Sequence, residues 1–203
     1  MIKHSVYRSL LAVVILMPVS DVMSEAISFD YVQAVYISDT IDPGGSIDDV
    51  EGDGIGFALS LSFEPAFAMR LAVSSITFDT FQGAGVDTVK TTALGVTAHT
   101  PVASGTEIFG NLSVVKAVVT VNDGAVSSGG TDFGGSIILG VRHLATDWLE
   151  VEMAASHINV FDHTVNSYMV GARLFIRKKA SVGFGYSASD DVDSLLLDFR
   201  MNI

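Results

Sequence analysis

From Gly54 to Ser74 the chain alternates large apolar and small residues with a period of two. Ile55, Phe57, Leu59, Leu61 and Phe63 are bulky, while Gly56, Ala58, Ser60 and Ser62 between them are small. A strand sends successive side chains to opposite faces, so this run makes one oily face and one small, polar face. Pro65 lacks a ladder donor and suits a tight turn. The next run therefore folds back as a partner strand, with Phe67, Met69, Leu71 and Val73 opposite Ala68, Arg70, Ala72 and Ser74. An arginine stands on the small face.

Such a hairpin fits two architectures. In a water-soluble barrel the bulky face forms the core and the small face meets water. In a membrane-spanning barrel the bulky face meets lipid and the small face lines the interior. The rest of the chain favours the second. Residues 1–26 have a basic start (Lys3, His4, Arg8), an apolar run from Leu10 to Val19, and small residues at Ser24 and Ala26. This is the pattern of a cleaved signal peptide, with an apolar run too short to cross a bilayer. Cleavage after Ser24 or Ala26 leaves 179 or 177 of the 203 residues, enough for one domain over 27–203. The chain has no cysteine, so an exported protein of this kind needs another means of holding itself together. Closure of a hydrogen-bonded barrel supplies one. Hydrophobic residues make up 49% of the sequence, yet after the signal segment they are dispersed in alternation rather than gathered in a helical span. The net charge of −12 argues against a nucleic-acid partner.

Alternating runs between turn signals predict ten strands, with eight as the alternative. The runs cover 27–38, 54–64, 67–78, 88–100, 106–120, 132–143, 147–160, 165–176, 179–188 and 193–203. Most reach the length of about 9–11 residues that a tilted spanning strand requires. Connections alternate between short ones, as at 65–66 and 177–178, and longer Gly/Asp/Ser-rich ones at 39–53, 79–87 and 121–131. Bacterial outer-membrane barrels combine short periplasmic turns with longer external loops, and an even strand count leaves both termini on the periplasmic side.

The signal peptide, the alternating hairpins, the Gly52-Asp53-Gly54 lead-in to the second strand, and Phe184-Gly185-Tyr186-Ser187-Ala188-Ser189-Asp190-Asp191 before an alternating last strand resemble a small OmpA-like outer-membrane β-barrel protein of Gram-negative bacteria. The resemblance spans the mature chain and rests on patterns rather than on catalytic letters. It implies a single all-β, antiparallel, up-and-down transmembrane barrel, resident in the outer membrane and assembled by the barrel-assembly machinery. In that family the last strand usually ends in an aromatic residue; here it ends in Ile203, with Phe199 the nearest aromatic.

The inward parity of the predicted strands collects Arg70, Arg142, Arg173 and Arg200 with Glu150, Glu152 and Asp198. Charges inside a narrow barrel must be paired or wetted, which predicts a lumenal ion-pair network that either braces the interior or gates a small pore. Lys90 and Lys116 fall on the outward parity near the outer rim, where long side chains reach water. The first long loop carries Asp48, Asp49, Glu51 and Asp53. These form either a solvated acidic rim or a loose divalent-cation site facing lipopolysaccharide phosphates. The position eleven after Asp49 is Ser60, inside a strand, so this is no EF-hand.

Other residues suggest weaker candidates. His157, Asp162, His163 and Ser167 are rim residues that could support a hydrolase, although no nucleophile is fixed among them. His99 and His143 fall at strand ends and read as interfacial. Arg177-Lys178-Lys179 reads as a solvated turn cluster, and Phe29, Tyr31, Phe63, Phe67, Tyr168 and Tyr186 as aromatic girdles. The expectation is a monomeric structural or surface-interaction protein of the envelope, in contact with outer-membrane lipid and lipopolysaccharide. No enzymatic activity or cofactor is expected. A narrow porin-like channel, a soluble lipocalin-like barrel and a rim-sited hydrolase are the alternatives.

Overall fold

The structure, a computed structural model, describes residues 27–42, 49–78, 87–122, 127–177 and 179–203. The proposed signal segment 1–26, together with Asp48 and Lys178, lies outside these residues. Ten strands form one closed antiparallel barrel. They are β1 (Tyr31–Ile41), β2 (Val50–Glu64), β3 (Phe67–Phe78), β4 (Asp87–Ala103), β5 (Thr106–Asn122), β6 (Ser127–Thr146), β7 (Leu149–Val160), β8 (His163–Arg177), β9 (Ala180–Ala188) and β10 (Val192–Asn202). Each strand pairs with its sequence neighbours, and β10 returns to β1 with Tyr31 opposite Asn202 and Ile41 opposite Val192. Ten strands, not the alternative eight, close the sheet, and closure leaves no unpaired edge.

The oily face is outside. Phe57, Leu139 and Leu197 are 56%, 62% and 53% exposed, while Arg142 and Glu150 on the opposite parity are 5% and 2% exposed. A soluble lipocalin-like barrel would need the reverse, so that alternative fails. Apolar side chains turned outward from every strand make a continuous lipid-facing band. Tyr36, Tyr168 and Tyr186 lie outward on β1, β8 and β9, and Trp148, Phe63 and Phe67 lie outward at the short-turn end.

Several strand limits differ from those read in the sequence. β2 begins at Val50 rather than 54, and β6 begins at Ser127 rather than 132. These extensions, Val50-Glu51-Gly52-Asp53 and Ser127-Ser128-Gly129-Gly130-Thr131, carry no hydrophobic alternation, yet the ladders to β1 and β5 continue through them. Gly52 and Gly54 thus sit inside β2, where Phe78 and the Ser75 carbonyl occupy the space a side chain would need. Gly134 in β6 is equally constrained, because a Cβ there would run into the Asn159 carbonyl of β7. Gly134→Ala should therefore cost about 1–3 kcal/mol by overpacking. The denaturant midpoint of the folded barrel in detergent would measure it.

The largest departure is at the start. Residues 27–30 were expected to open the first strand, but they turn inward instead. Ser28 and Asp30 bond to one another locally, the Ser62 amide donates to the Asp30 carboxylate, and Ile203 N–H donates to the Asp30 carbonyl at 3.0 Å. Ile27 and Phe29 are thereby buried against Ala68, Phe109 and Leu144 in the short-turn mouth of the barrel. Burying those two side chains favours the inward turn over continued pairing along the wall.

Candidate functional site: the charged lumen

The barrel interior is layered. At the short-turn end the alternation of β5–β8 and β10 delivers acidic and basic side chains to one level, because each lies within a few residues of a short turn or of the last strand's end. Arg142 Nε donates to Glu152 Oε2 at 2.8 Å, its direct partner across β6 and β7. Arg173 binds Asp198 through two nitrogens, at 2.6 and 3.2 Å, a forked pairing that fixes orientation as well as charge. Glu150 lies 3.5 Å from Arg173 Nε and 3.8 Å from Arg200 Nη1, and so links two arginines. Arg200 also donates to Gln33 at 3.4 Å, which explains a glutamine among the apolar residues of β1. The structure therefore brings six of the seven charged lumenal candidates into ion pairs. The seventh, Arg70, lies near Tyr31 and has no carboxylate in ion-pair range among the described residues.

Aromatic rings complete the floor. The Arg142 guanidinium lies between Phe29 and Phe109, 4.9 and 5.0 Å from their centroids, and Arg200 lies 4.1 Å from the Tyr31 centroid. Phe29 stacks on His99 at 3.8 Å. His99 Nδ1 in turn meets Glu107 Oε2 at 2.9 Å. Phe29 and Tyr31 are thus not girdle residues, and His99 is not interfacial: all three point into the lumen at its short-turn mouth. Tyr31 opens β1, and Ile27 and Phe29 before it keep the same inward parity. For His99, the paired acid eight residues later on the next strand was the available signal. His143 does stand beside a short turn, with Nδ1 2.8 Å from the Thr106 hydroxyl.

Beyond this layer the lumen changes character. Void space of about 340 Å³ borders the charged level, and a further 320 Å³ adjoins it toward the loop end. The second is walled by Val89, Val115, Val119, Ile138, Ile158 and Val160, with Arg70 at its base. Two of its polar neighbours are engaged, since Ser113 donates to Asn111 at 2.5 Å and Asn111 donates to Thr97 at 3.0 Å; Thr91 and Ser136 also line it.

The acidic rim gathers no cation site among the described residues, where no group of three His, Asp or Glu side chains stands close enough to hold a metal ion. Asp49, Glu51 and Asp53 are outward and exposed, and Asp53 accepts from the Tyr36 hydroxyl at 2.5 Å. The rim histidine and serine are also separated. His157 is outward, against Asn166 at 2.8 Å, whereas Ser167 lies on the inward parity beside Ser156 at 2.6 Å. Arg177 and Lys179 are exposed at the short-turn end.

A closed, cysteine-free barrel with an oily exterior and a charged interior defines a class: a small outer-membrane β-barrel, located in the outer membrane. Comparison with solved structures agrees on the fold. The translocator domain of the autotransporter NalP from Neisseria meningitidis superposes with a TM-score of 0.50 at 10% identity, covering 99% of this chain and 98% of that one. Neisserial surface protein A gives 0.49 at 12% identity, over 88% of this chain and 100% of that one. The attachment invasion locus protein Ail of Yersinia pestis gives 0.43 at 9%, over 85% and 95%. No protein-family model and no curated protein sequence matches the chain.

Proposed function

We propose that this protein is a monomeric structural or surface-interaction element of the outer membrane whose lumen does not conduct. The observation that carries this reading is the floor. Phe29 and Phe109 flank Arg142, and Glu150 ties Arg173 to Arg200, so the short-turn mouth is spanned by groups that hold one another in place. A constriction crossed by paired charges passes solutes only if those pairs come apart. Function then falls to the lipid-facing band, in contact with outer-membrane lipid and lipopolysaccharide, and to the exposed loop end. No catalytic role is assigned to the rim. Assembly by the barrel-assembly machinery follows from the same class.

Planar-bilayer recording tests the reading. The purified barrel should show no steady unit conductance, while Phe29→Ala combined with Arg142→Ala should raise ion flux by opening the floor. Stable pores in the unsubstituted protein would favour the narrow-channel alternative instead.

A further inference from the structure

We infer that the loop-side half of the lumen is a binding site for a single-chain anionic amphiphile, a long-chain carboxylic acid, held with its headgroup at Arg70 and its tail against Val115, Val119, Ile138 and Ile158. The inference rests on the proposed closed floor, which turns the lumen into a blind pocket.

Three observations converge on it. First, protein interiors contain few voids larger than a water molecule, yet here two adjoining voids of about 340 and 320 Å³ share Arg70, Asn111 and Ile138 as lining. Each falls in the size range of small-molecule pockets, about 300–1,000 Å³. Second, the wall of the outer void is mostly apolar. A buried water needs roughly two to four polar partners; Ser113 and Asn111 are engaged with one another and with Thr97, which leaves the hydroxyls of Thr91 and Ser136, beside Arg70, as the polar groups on an otherwise apolar wall. The wall from Ser113 to Val119 on β5 runs roughly six residues, or about 20 Å at strand rise, which is the length of an extended aliphatic chain. Third, the base of this apolar shaft carries one cation, Arg70, without an anionic partner among the described residues, and one free guanidinium nitrogen on Arg142, whose Nε is paired with Glu152. Arg70 has no carboxylate in ion-pair range among the described residues, and the buried Nη1 of Arg142, lining the same inner void, has no hydrogen-bond partner. An apolar shaft ending at unmatched guanidinium donors fits an aliphatic tail with a carboxylate head, since carboxylate oxygens accept from arginine in a charge-assisted pair. A two-chain lipid would need twice the tail volume, and a neutral alcohol would leave the charge unmet.

The test uses the folded full-length mature barrel in lipid nanodiscs and a diazirine-bearing long-chain fatty acid, with the matching alcohol and a diazirine-bearing phospholipid as parallel probes. Photolabelling mapped by mass spectrometry should place the fatty acid on inward residues such as Val115 and Ile158. The phospholipid should label outward residues such as Leu112 and Leu139. Ile138→Trp should abolish inward labelling by filling the shaft, and Ala117→Phe provides a second filling variant should the first fail to fold, with heat-modified gel mobility reporting folding. Arg70→Gln should weaken fatty-acid labelling about tenfold, the loss of one charge-assisted bond, and leave the alcohol's weaker labelling unchanged. Fatty-acid labelling confined to outward positions, or inward labelling indifferent to both filling variants, would overturn the site. Conductance of the same preparation separates the two readings. Steady pores together with inward labelling would sink the closed floor but keep the site, and silent bilayers with outward labelling would do the opposite.

Discussion

Glu150→Gln is expected to lower the unfolding free energy of the barrel by about 3–5 kcal/mol. Glu150 is 2% exposed and stands 3.5 Å from Arg173 Nε and 3.8 Å from Arg200 Nη1. Removing its charge leaves Arg173 with Asp198 but deprives Arg200 of its carboxylate neighbour in the described network. A buried guanidinium without a counter-charge carries an uncompensated desolvation cost, which is the usual reason that deleting one partner hurts more than deleting both. The double variant Glu150→Met with Arg200→Met should accordingly recover much of the loss. Urea midpoints in detergent would measure both. Equal midpoints for the single variant and the unsubstituted protein would show that the lumenal pairs do not brace the interior.

The second large effect concerns the outer face. Leu139 is 62% exposed on β6, flanked by Gly110 of β5 and Ala155 of β7 in the middle of the wall. Leu139→Arg should cost about 2–4 kcal/mol in a lipid bilayer, the penalty for a cation near the midplane of a barrel's lipid face. Lys116→Leu makes the comparison informative. Lys116 is also outward, but it lies 5.8 Å over the Phe133 ring toward the loop end, where a cation reaches water. Its replacement should change stability by less than about 1 kcal/mol. If Leu139→Arg were as harmless as Lys116→Leu in vesicles, the oily band would not be in contact with hydrocarbon.

The alternation at Ile55–Phe63 and Phe67–Val73 made the strands legible, and Arg70, Arg142 and Glu150 on the small-residue parity made the inside-out orientation legible. Both signals are local and periodic, and side-chain alternation in a strand preserves them. What stayed hidden is not periodic. Residues 27–30 read as strand because Ile27, Phe29 and Tyr31 alternate as well, but their partners are Ala68 and Phe109, far along the chain. Only closure of the barrel brings those partners into reach. The apolar shaft was hidden for a different reason. On β5, Val114, Val115, Ala117, Val118 and Val119 are apolar on both parities, which reads as a blurred strand rather than as a strand with two oily faces. That blur was the signal: Leu112 and Val114 face lipid, while Val115 and Ala117, at 4% and 5% exposure, face the axis. The acidic loop read either as a solvated rim or as a loose cation site, and Asp49, Glu51 and Asp53 share the outward parity of Ile55 and Phe57.

The Ile203 amide bonded to Asp30 ties the first described residues to the end of the last strand. β1 and β10 are the pair most distant along the chain, and the entropy of bringing such ends together must be met before their contacts return anything. The mouth is therefore finished only once the seam between them is paired. Until that seam zips, Phe29 has no finished chamber to enter, and a half-built cylinder stays open at its base for as long as its two margins remain apart.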